Sequence, residues 1–455
     1  MNNHSRRRFI RHSALGVAGV LTGLNTIANE SFIYSHSEPA IMGGAPLLSE
    51  SRWIKWPIWI PETDEPLVLE VLRSGVWSRA KLTDQFENEW AGMLGSKRCL
   101  TTVNGTNALI VALHQLGVGA GDEVLVTPYT FVATVQAILI NGAIPVFVDV
   151  DPDTYQMDPE KIEAKITNKT KVILPVHILG MPADMNRIMK IARKRNLMVL
   201  EDACQAHLAE ISGKKVSTIG DAGCFSFQNS KNLAIGEGGA IVSDNDSFID
   251  GCIAFHNLGY PKKIEPGVPF RGSQWVGGKT RMAEYQAAIG LVQMKRLKEQ
   301  TETRNVNADY LRTRLKSIPG IVPHRLYDDV TKAAYLLFAF RYKQDLFKGL
   351  SRASFIKALA AEGVPVSSGY TPLNVQPFIQ DALESKNYKK SYSRKDLNYN
   401  DYLAENQCPE NDKLCSEAIW ITQNMLLGSK NDMEIIATAI ERIYKNAEKI
   451  KNTIK

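Results

Sequence analysis

Five short apolar runs, Leu100–Val103, Glu123–Val126, Pro145–Val150, Val172–Val176 and Met198–Glu201, follow one another at helix-length intervals. Amphipathic stretches separate them, among them Thr106–Leu116, Pro159–Ile166 and Met185–Arg195. The runs are continuous in polarity rather than alternating, as strands buried on both faces require, and helices between them make the crossovers of a parallel sheet. The pattern predicts an α/β fold, with two more short strands at Cys224–Phe227 and Gly239–Ser243. A long helix is expected from Arg281 to Leu315, stopped by Pro319-Gly320. Beyond it a second α/β region begins, with a strand near Tyr335–Tyr342 and helices near Arg352–Glu362 and Met433–Asn446. Gln380–Asn411 shows neither period and reads as a long polar loop.

Among 455 residues, 44% are hydrophobic and 22% charged, which excludes a disordered, collagenous or multi-span membrane chain. The formal charge of +6 is misleading, because Arg6, Arg7, Arg8 and Arg11 lie in a leader without acidic residues. Without it, 50 basic residues face 48 acidic ones, which gives no support for nucleic-acid binding. The leader runs Ser5-Arg6-Arg7-Arg8-Phe9-Ile10-Arg11, then an apolar stretch from Ser13 to Leu21, then Thr26-Ile27-Ala28. It resembles a twin-arginine export signal over residues 1–28, with a cleavage point after Ala28, and implies the export machinery as a partner and a periplasmic or membrane-anchored location. The six cysteines show no zinc spacing; Cys408 and Cys415 either bridge in an oxidising compartment or stand as two free thiols near a surface loop.

Four segments fall at the ends of predicted strands, where open parallel sheets place their ligand crevice. Asn104-Gly105-Thr106-Asn107 opens a helix, and its turn, free N–H groups and Thr106 hydroxyl suit a phosphate; an ordinary N-cap reads the same way. Thr127-Pro128-Tyr129-Thr130-Phe131 offers an aromatic ring that either stacks on a flat cofactor or joins the core. Asp202, in Glu201-Asp202-Ala203-Cys204-Gln205-Ala206-His207, is placed to keep a pyridinium nitrogen protonated, or to cap a helix. Lys231 lies between a buried strand and Gly236-Glu237-Gly238-Gly239, where partial desolvation lowers an amine's pKa as Schiff-base chemistry needs. Standing alone, it reads as a solvated loop lysine.

Taken together, these segments resemble the DegT/DnrJ/StrS aminotransferases, pyridoxal-phosphate enzymes that aminate keto-sugars and keto-cyclitols. The likeness runs from about Trp53 to Tyr444 and is carried by Pro128–Thr134, Pro175-Val176-His177, Pro182–Met185, Glu201–His207, Gly236–Gly239 and Arg281-Met282 with Gln286–Gly290. Ser226-Phe227-Gln228 is similar to the branch acting on inosose-type cyclitols and aminohydroxybenzoate precursors. The resemblance implies the type I fold of pyridoxal-phosphate enzymes, with a large mixed, mainly parallel sheet domain at 50–320 and a small α/β domain at 321–455. It also implies a homodimer with active sites at its interface. By position it makes Lys231 the internal aldimine lysine, Asp202 the partner of the ring nitrogen, Gln205 the contact on the ring's oxygen side and Phe131 the stacking ring. Gly105, Thr106 and Ser226 would hold the phosphate, and glutamate or glutamine would be the amino donor.

Two positions depart from the family pattern. Lys279 stands where an Asn usually reaches the neighbouring subunit's phosphate, and Leu208 replaces a customary Gly. Two rival readings are a keto-sugar dehydratase, whose branch typically has His in place of Lys231, and an exported cofactor-binding or regulatory protein without turnover. His256 and Tyr370 lie in segments (255–274 and 369–378) expected near an acceptor.

Overall fold

The computed structural model describes residues 37–48, 52–260 and 272–454; the leader lies outside them. Strands β1 (Arg98–Thr102), β2 (Glu123–Val126), β3 (Ile144–Phe147), β4 (Thr170–Leu174) and β5 (Met198–Asp202) are followed by the short β6 (Glu210–Ile211) and β7 (Lys214–Lys215), then β8 (Ala222–Ser226) and β9 (Gly239–Ser243). Seven of these form one sheet in the order β1-β9-β8-β5-β4-β2-β3. The pairs from β8 to β3 are parallel, whereas β9 runs antiparallel to both β1 and β8. The sheet is thus mixed and mainly parallel, as the resemblance implies, although the apolar runs alone suggest only parallel strands. A buried antiparallel strand has no alternating polarity either, so the pattern cannot distinguish the two.

Both faces of the sheet are covered, which accounts for the continuous runs. Val124 and Val126 face one core with helices Gly105–Gln115, Val132–Ile140 and Asp246–His256, while Leu125 faces the other with Lys81–Leu94 and Met185–Arg195. A second sheet, of order β10-β12-β14-β13, comprises β10 (Ile321–Pro323), β12 (Leu337–Tyr342), β13 (Ser367–Ser368) and β14 (Ala418–Thr422); β11 (Val330–Lys332) pairs with β6. The helix Glu284–Leu315 joins the two regions. Its Ala287, Leu291 and Leu297 enter the large-sheet core, and Ala308, Leu311 and Leu315 enter the core beneath the second sheet. At 32 residues it spans about 48 Å, enough to brace both. None of the described helices is long and apolar enough to cross a membrane.

Three expectations fail locally. Pro159–Ile166 is two 3-10 turns, Pro159–Lys161 and Glu163–Lys165, because Asp158 caps the first at Glu160 N and the chain turns again at once. Gln380–Asn411 is no loop but most of a run of short helices, Pro377–Leu383, Lys386–Ser391, Tyr399–Glu405 and Pro409–Glu417. Each has two turns or little more, too few for a period to show, yet Ile379, Leu383, Tyr388 and Tyr402 pack into the large-sheet core. Cys408 and Cys415 are both buried free thiols. The helix between them sends Cys408 into the large-sheet core and Cys415 into the other, so neither a bridge nor a surface loop results.

Strand alternation separates the neighbours Glu201 and Asp202. Glu201 is fully buried, and its carboxylate accepts from Ser217 N (2.7 Å), Ile219 N (2.8 Å), Gly220 N (2.7 Å) and His177 Nε2 (2.9 Å). It fastens the turn ahead of β8, the strand that ends at Ser226. Glu201→Gln turns one acceptor into a donor facing donors, and is expected to lower unfolding free energy by about 3 kcal/mol in urea titration.

Two buried histidines give the fold an acid-sensitive stability. His207 donates Nε2–H to Ser226 O (2.9 Å) among Trp90, Phe225 and Phe227, and burial pushes its pKa down to about 3. His324 donates Nδ1–H to Ala339 O (2.9 Å), and burial takes it down to about 4. Both are neutral when folded but bind a proton near pH 6.5 when unfolded, so stability present above that pH is lost as pH falls toward the folded values. Each is expected to remove about 2 kcal/mol between pH 7 and 5, and His324→Phe to reduce the measured drop by that amount.

Candidate active site

The carboxyl ends of β1, β2, β5 and β8 and the start of β9 meet around a cavity of about 650 Å³. Of the eight residues singled out in the sequence, seven line it: Gly105, Thr106, Phe131, Asp202, Gln205, Ser226 and Lys231. Its volume suits a small-molecule cofactor with room for a substrate.

Lys231 is presented by the hydrogen-bonded turn between β8 and β9. Phe227 N donates to Gly238 O (2.8 Å), Asn229 N to Gly236 O (2.9 Å) and Lys231 N to Gln228 O (2.8 Å). Trp56 Nε1 donates to Lys231 O (3.1 Å), and Asn232 Nδ2 to Ala334 O (3.0 Å), so the backbone is pinned on both sides. Burial pushes the ammonium pKa below the usual lysine range, opposed by Cys204 and Asp202. More of the amine is therefore neutral near physiological pH than an exposed lysine would offer.

Asp202 ends β5 and is buried at 4% exposure. Its Oδ2 accepts from Thr134 Oγ1 (2.8 Å), itself 2.8 Å from Thr130 Oγ1, and Oδ1 accepts from Cys204 N (3.1 Å). The helix that begins after Phe131 thus orients the carboxylate through Thr134. Three residues on, Gln205 accepts Leu179 N–H at Oε1 (2.8 Å), which fixes the direction of its amide.

At the far end, Asn104 Oδ1 caps the helix by accepting Asn107 N–H (2.9 Å). The remaining first-turn N–H groups, at Gly105 and Thr106, have no intrahelical partner. A Cβ at Gly105 would lie 2.7 Å from Ser226 Cβ and 2.9 Å from Cys204 Sγ, and one at Gly239 would lie 2.4 Å from Asn104 C and O. Both glycines are required by close backbone approach, which draws the helix N-terminus against Ser226. Free amides at a dipole's positive end beside two hydroxyls make an anion cradle. Phe131, 54% exposed, stands at the cavity's mouth as the N-cap of Val132–Ile140.

Lys279 does not join them. It is exposed, pairs in a β-bridge with Asn257 and lies outside this chain's cavity lining. Nor does His256, whose Nδ1–H donates to Ile253 O (2.6 Å) at its helix end, and which burial pushes down to about 4. Tyr370 does line the cavity, with Trp56, Thr134, Cys204 and Gln423. Thr134 belongs to the Pro128–Thr134 stretch that carries the family likeness, whereas Trp56 and Gln423 come from distant segments and carried no signal. Leu208 adopts φ +61, the left-handed region, so the position retains a conformation that favours glycine although its side chain is buried. A wider groove of about 820 Å³ near Arg98 and His114 offers no comparable set: Arg98 is paired with Asp246 and Asp250, and His114 packs on Phe255.

The model of the DegT/DnrJ/EryC1/StrS aminotransferase family matches residues 60–439. The chain is 32% identical over 425 residues to an L-glutamine:2-deoxy-scyllo-inosose aminotransferase of Streptoalloteichus tenebrarius, covering 90% of this chain and 97% of the relative. It is 35% identical over 338 residues to the spore coat polysaccharide biosynthesis protein SpsC of Bacillus subtilis, covering 73% and 86%. Among solved structures, 3-amino-5-hydroxybenzoic acid synthase superposes with a TM-score of 0.77 at 29% identity, covering 87% of this chain and 98% of that one. The cavity with its lysine, carboxylate and anion cradle, and a match that runs through both sheets, lead to one conclusion: the chain belongs to the DegT/DnrJ/EryC1/StrS family of pyridoxal-phosphate-dependent aminotransferases.

Proposed function

We propose that this chain moves an amino group from glutamine or glutamate to a ketone carbon of a cyclitol or sugar, with Lys231 as the residue that binds pyridoxal phosphate covalently. The observation that carries this reading is the largely desolvated Lys231 amine sharing one cavity with a buried, oriented Asp202 carboxylate. The anion cradle at Gly105, Thr106 and Ser226 fits the phosphate, and Asp202 fits a protonated ring nitrogen. When bound, pyridoxal phosphate supplies an aldehyde that exchanges amines and a ring that accepts the electron pair released at the donor carbon. Asp202 would hold a proton on the ring nitrogen, Lys231 Nζ would accept and return the proton that moves during amino transfer, and Phe131 would cover the ring and exclude water. The relatives' printed names favour glutamine as donor and a scyllo-inosose-type ketone as acceptor. The test is to mix the cofactor-loaded protein with L-glutamine or L-glutamate and follow the cofactor's absorbance, then add a keto-cyclitol and detect its amine by mass spectrometry. Donor conversion without any aminated acceptor would overturn the acceptor class, and absence of both would leave a binding protein.

Lys279, exposed and outside its own cavity, fits a group that serves a second copy's phosphate, which supports a homodimer; light scattering of the native protein tests it. The leader supports export by the twin-arginine route. Arg6→Lys with Arg7→Lys is expected to hold the protein in the cytoplasm, and a wild-type chain found only there would refute export.

A further inference from the structure

Arg304, on the helix Glu284–Leu315, is fully buried, and no carboxylate pairs with it among the described residues. Burial pushes its guanidinium down to about 9, which still leaves it charged near physiological pH. Its Nη2 donates to Gln423 Oε1, its Nε and Nη1 meet no protein acceptor, and its Cζ lies 5.3 Å from the centre of the Trp56 ring. An arginine has no acceptor to offer, so this one bond fixes the Gln423 amide, with its oxygen on Arg304 and its NH₂ turned away. That NH₂ has no protein acceptor among the described residues. Gln423 is 3% exposed and stands one residue past β14, where it lines the cavity with Trp56. Trp56 also donates to Lys231 O (3.1 Å), so it bridges the guanidinium and the turn that carries the lysine. The next residue, Asn424, donates to Ile54 O (2.8 Å) and holds the same wall in place.

We infer that the Gln423 amide, oriented and polarised by Arg304, is the subsite for the α-carboxylate of the amino donor. The inference rests on the function proposed above, in which the donor is glutamine or glutamate. A donor of that kind carries its carboxylate one bond from the carbon that gives up the amine, so an anion must arrive close to Lys231. A cation left uncompensated inside the protein is costly, and an anion placed before it offsets part of that cost. The bond from Gln423 to a carboxylate is charge-assisted, and Arg304 strengthens it by drawing on the amide oxygen. A neutral hydroxyl on a cyclitol gains far less from that charge. Arg304 touches no ligand in this arrangement and acts as a positioning residue.

Gln423→Glu separates this role from a structural one. It keeps the shape and supplies Arg304 with a counter-ion, so thermal unfolding is expected to move to higher temperature. It also removes the NH₂ and sets a negative charge before the donor's own. With cofactor-loaded protein and absorbance as the readout, the half-saturating concentration of L-glutamine is expected to rise about 30-fold, the scale of one hydrogen bond to a charged group, with little change in the limiting rate. L-glutaminamide, whose α-carboxylate is replaced by a neutral amide, is expected to need about 30 times more than L-glutamine in the wild type. That preference is expected to vanish in Gln423→Glu and in the uncharged Gln423→Met. A wild-type protein that responds to neither glutamine nor glutamate and is not trapped on Lys231 by borohydride sinks the functional reading. A responsive, trapped protein whose two variants keep the wild-type preference for glutamine over its amide overturns this inference alone. So does a rise confined to the half-saturating concentration of a keto-cyclitol, which would assign the Gln423 amide to the acceptor.

Discussion

Lys231→Ala is expected to lower turnover at least about 10⁴-fold and to abolish borohydride-stable attachment of the cofactor, while thermal unfolding of the apo protein changes little. The size follows from two lost functions on one atom. On the function proposed above, Lys231 Nζ would be both the amine that binds the cofactor and the acid–base group that moves the proton, and a positioned acid–base group alone is worth about 10²–10⁴-fold. No neighbour can replace it. The cavity's other titratable side chains near that amine are Asp202 and the Cys204 thiol, which burial pushes well up and which is therefore neutral. Nor is the fold expected to suffer, because the turn that presents Lys231 is held by backbone bonds, by Trp56 and by Asn232. Substantial turnover, or trapping at another residue, would refute the assignment.

Asp202→Asn is expected to cost about 3–5 kcal/mol at the transition state, or roughly 10²- to 10⁴-fold in kcat/KM. The carboxylate is 4% exposed, so a protonated ring nitrogen beside it would be stabilised with little solvent screening. Asparagine keeps the shape and retains an oxygen for Thr134 Oγ1 or Cys204 N–H but not for both, and it loses the charge. The cofactor should still attach through Lys231, so borohydride trapping persists while donor-half turnover falls. A variant with near-native turnover would show that the ring nitrogen needs no anionic partner here.

The strands that build the site were legible because burial on both faces leaves continuous apolar runs. Glu123–Val126 and Gly239–Ser243 come out with the same limits in sequence and structure, and Met198–Glu201 is one residue short. Gly105, Asp202 and Lys231 were legible only as a set: Asp202 ends β5, Gly105 opens the helix just after β1 and Lys231 lies in the turn between β8 and β9, and each alone reads as a cap or a loop residue. Gln380–Asn411 was not legible, because helices of six to nine residues carry no measurable period and their burial depends on a surface contributed by residues more than two hundred positions away. Tyr370 was visible only as an aromatic residue in a loop. Its place at the cavity depends on a hydrogen bond to a residue 165 positions earlier, and on Gly369 bringing the chain down onto Tyr129.

Sequence alone determined which residue types stand ready for chemistry: a lysine between two strands, a carboxylate at a strand end and a helix start just after a strand, in an α/β alternation. Those are local properties, set by residue type and by the period of burial. Tertiary structure decided the rest. It reversed β9 within the sheet, sent Glu201 and Asp202 to opposite duties, kept Lys279 out of its own cavity and brought Tyr370 to Gln205. Each of these depends on a contact between segments far apart in the chain, and such contacts are selected by the packing of whole surfaces, which leaves no periodic trace along the sequence.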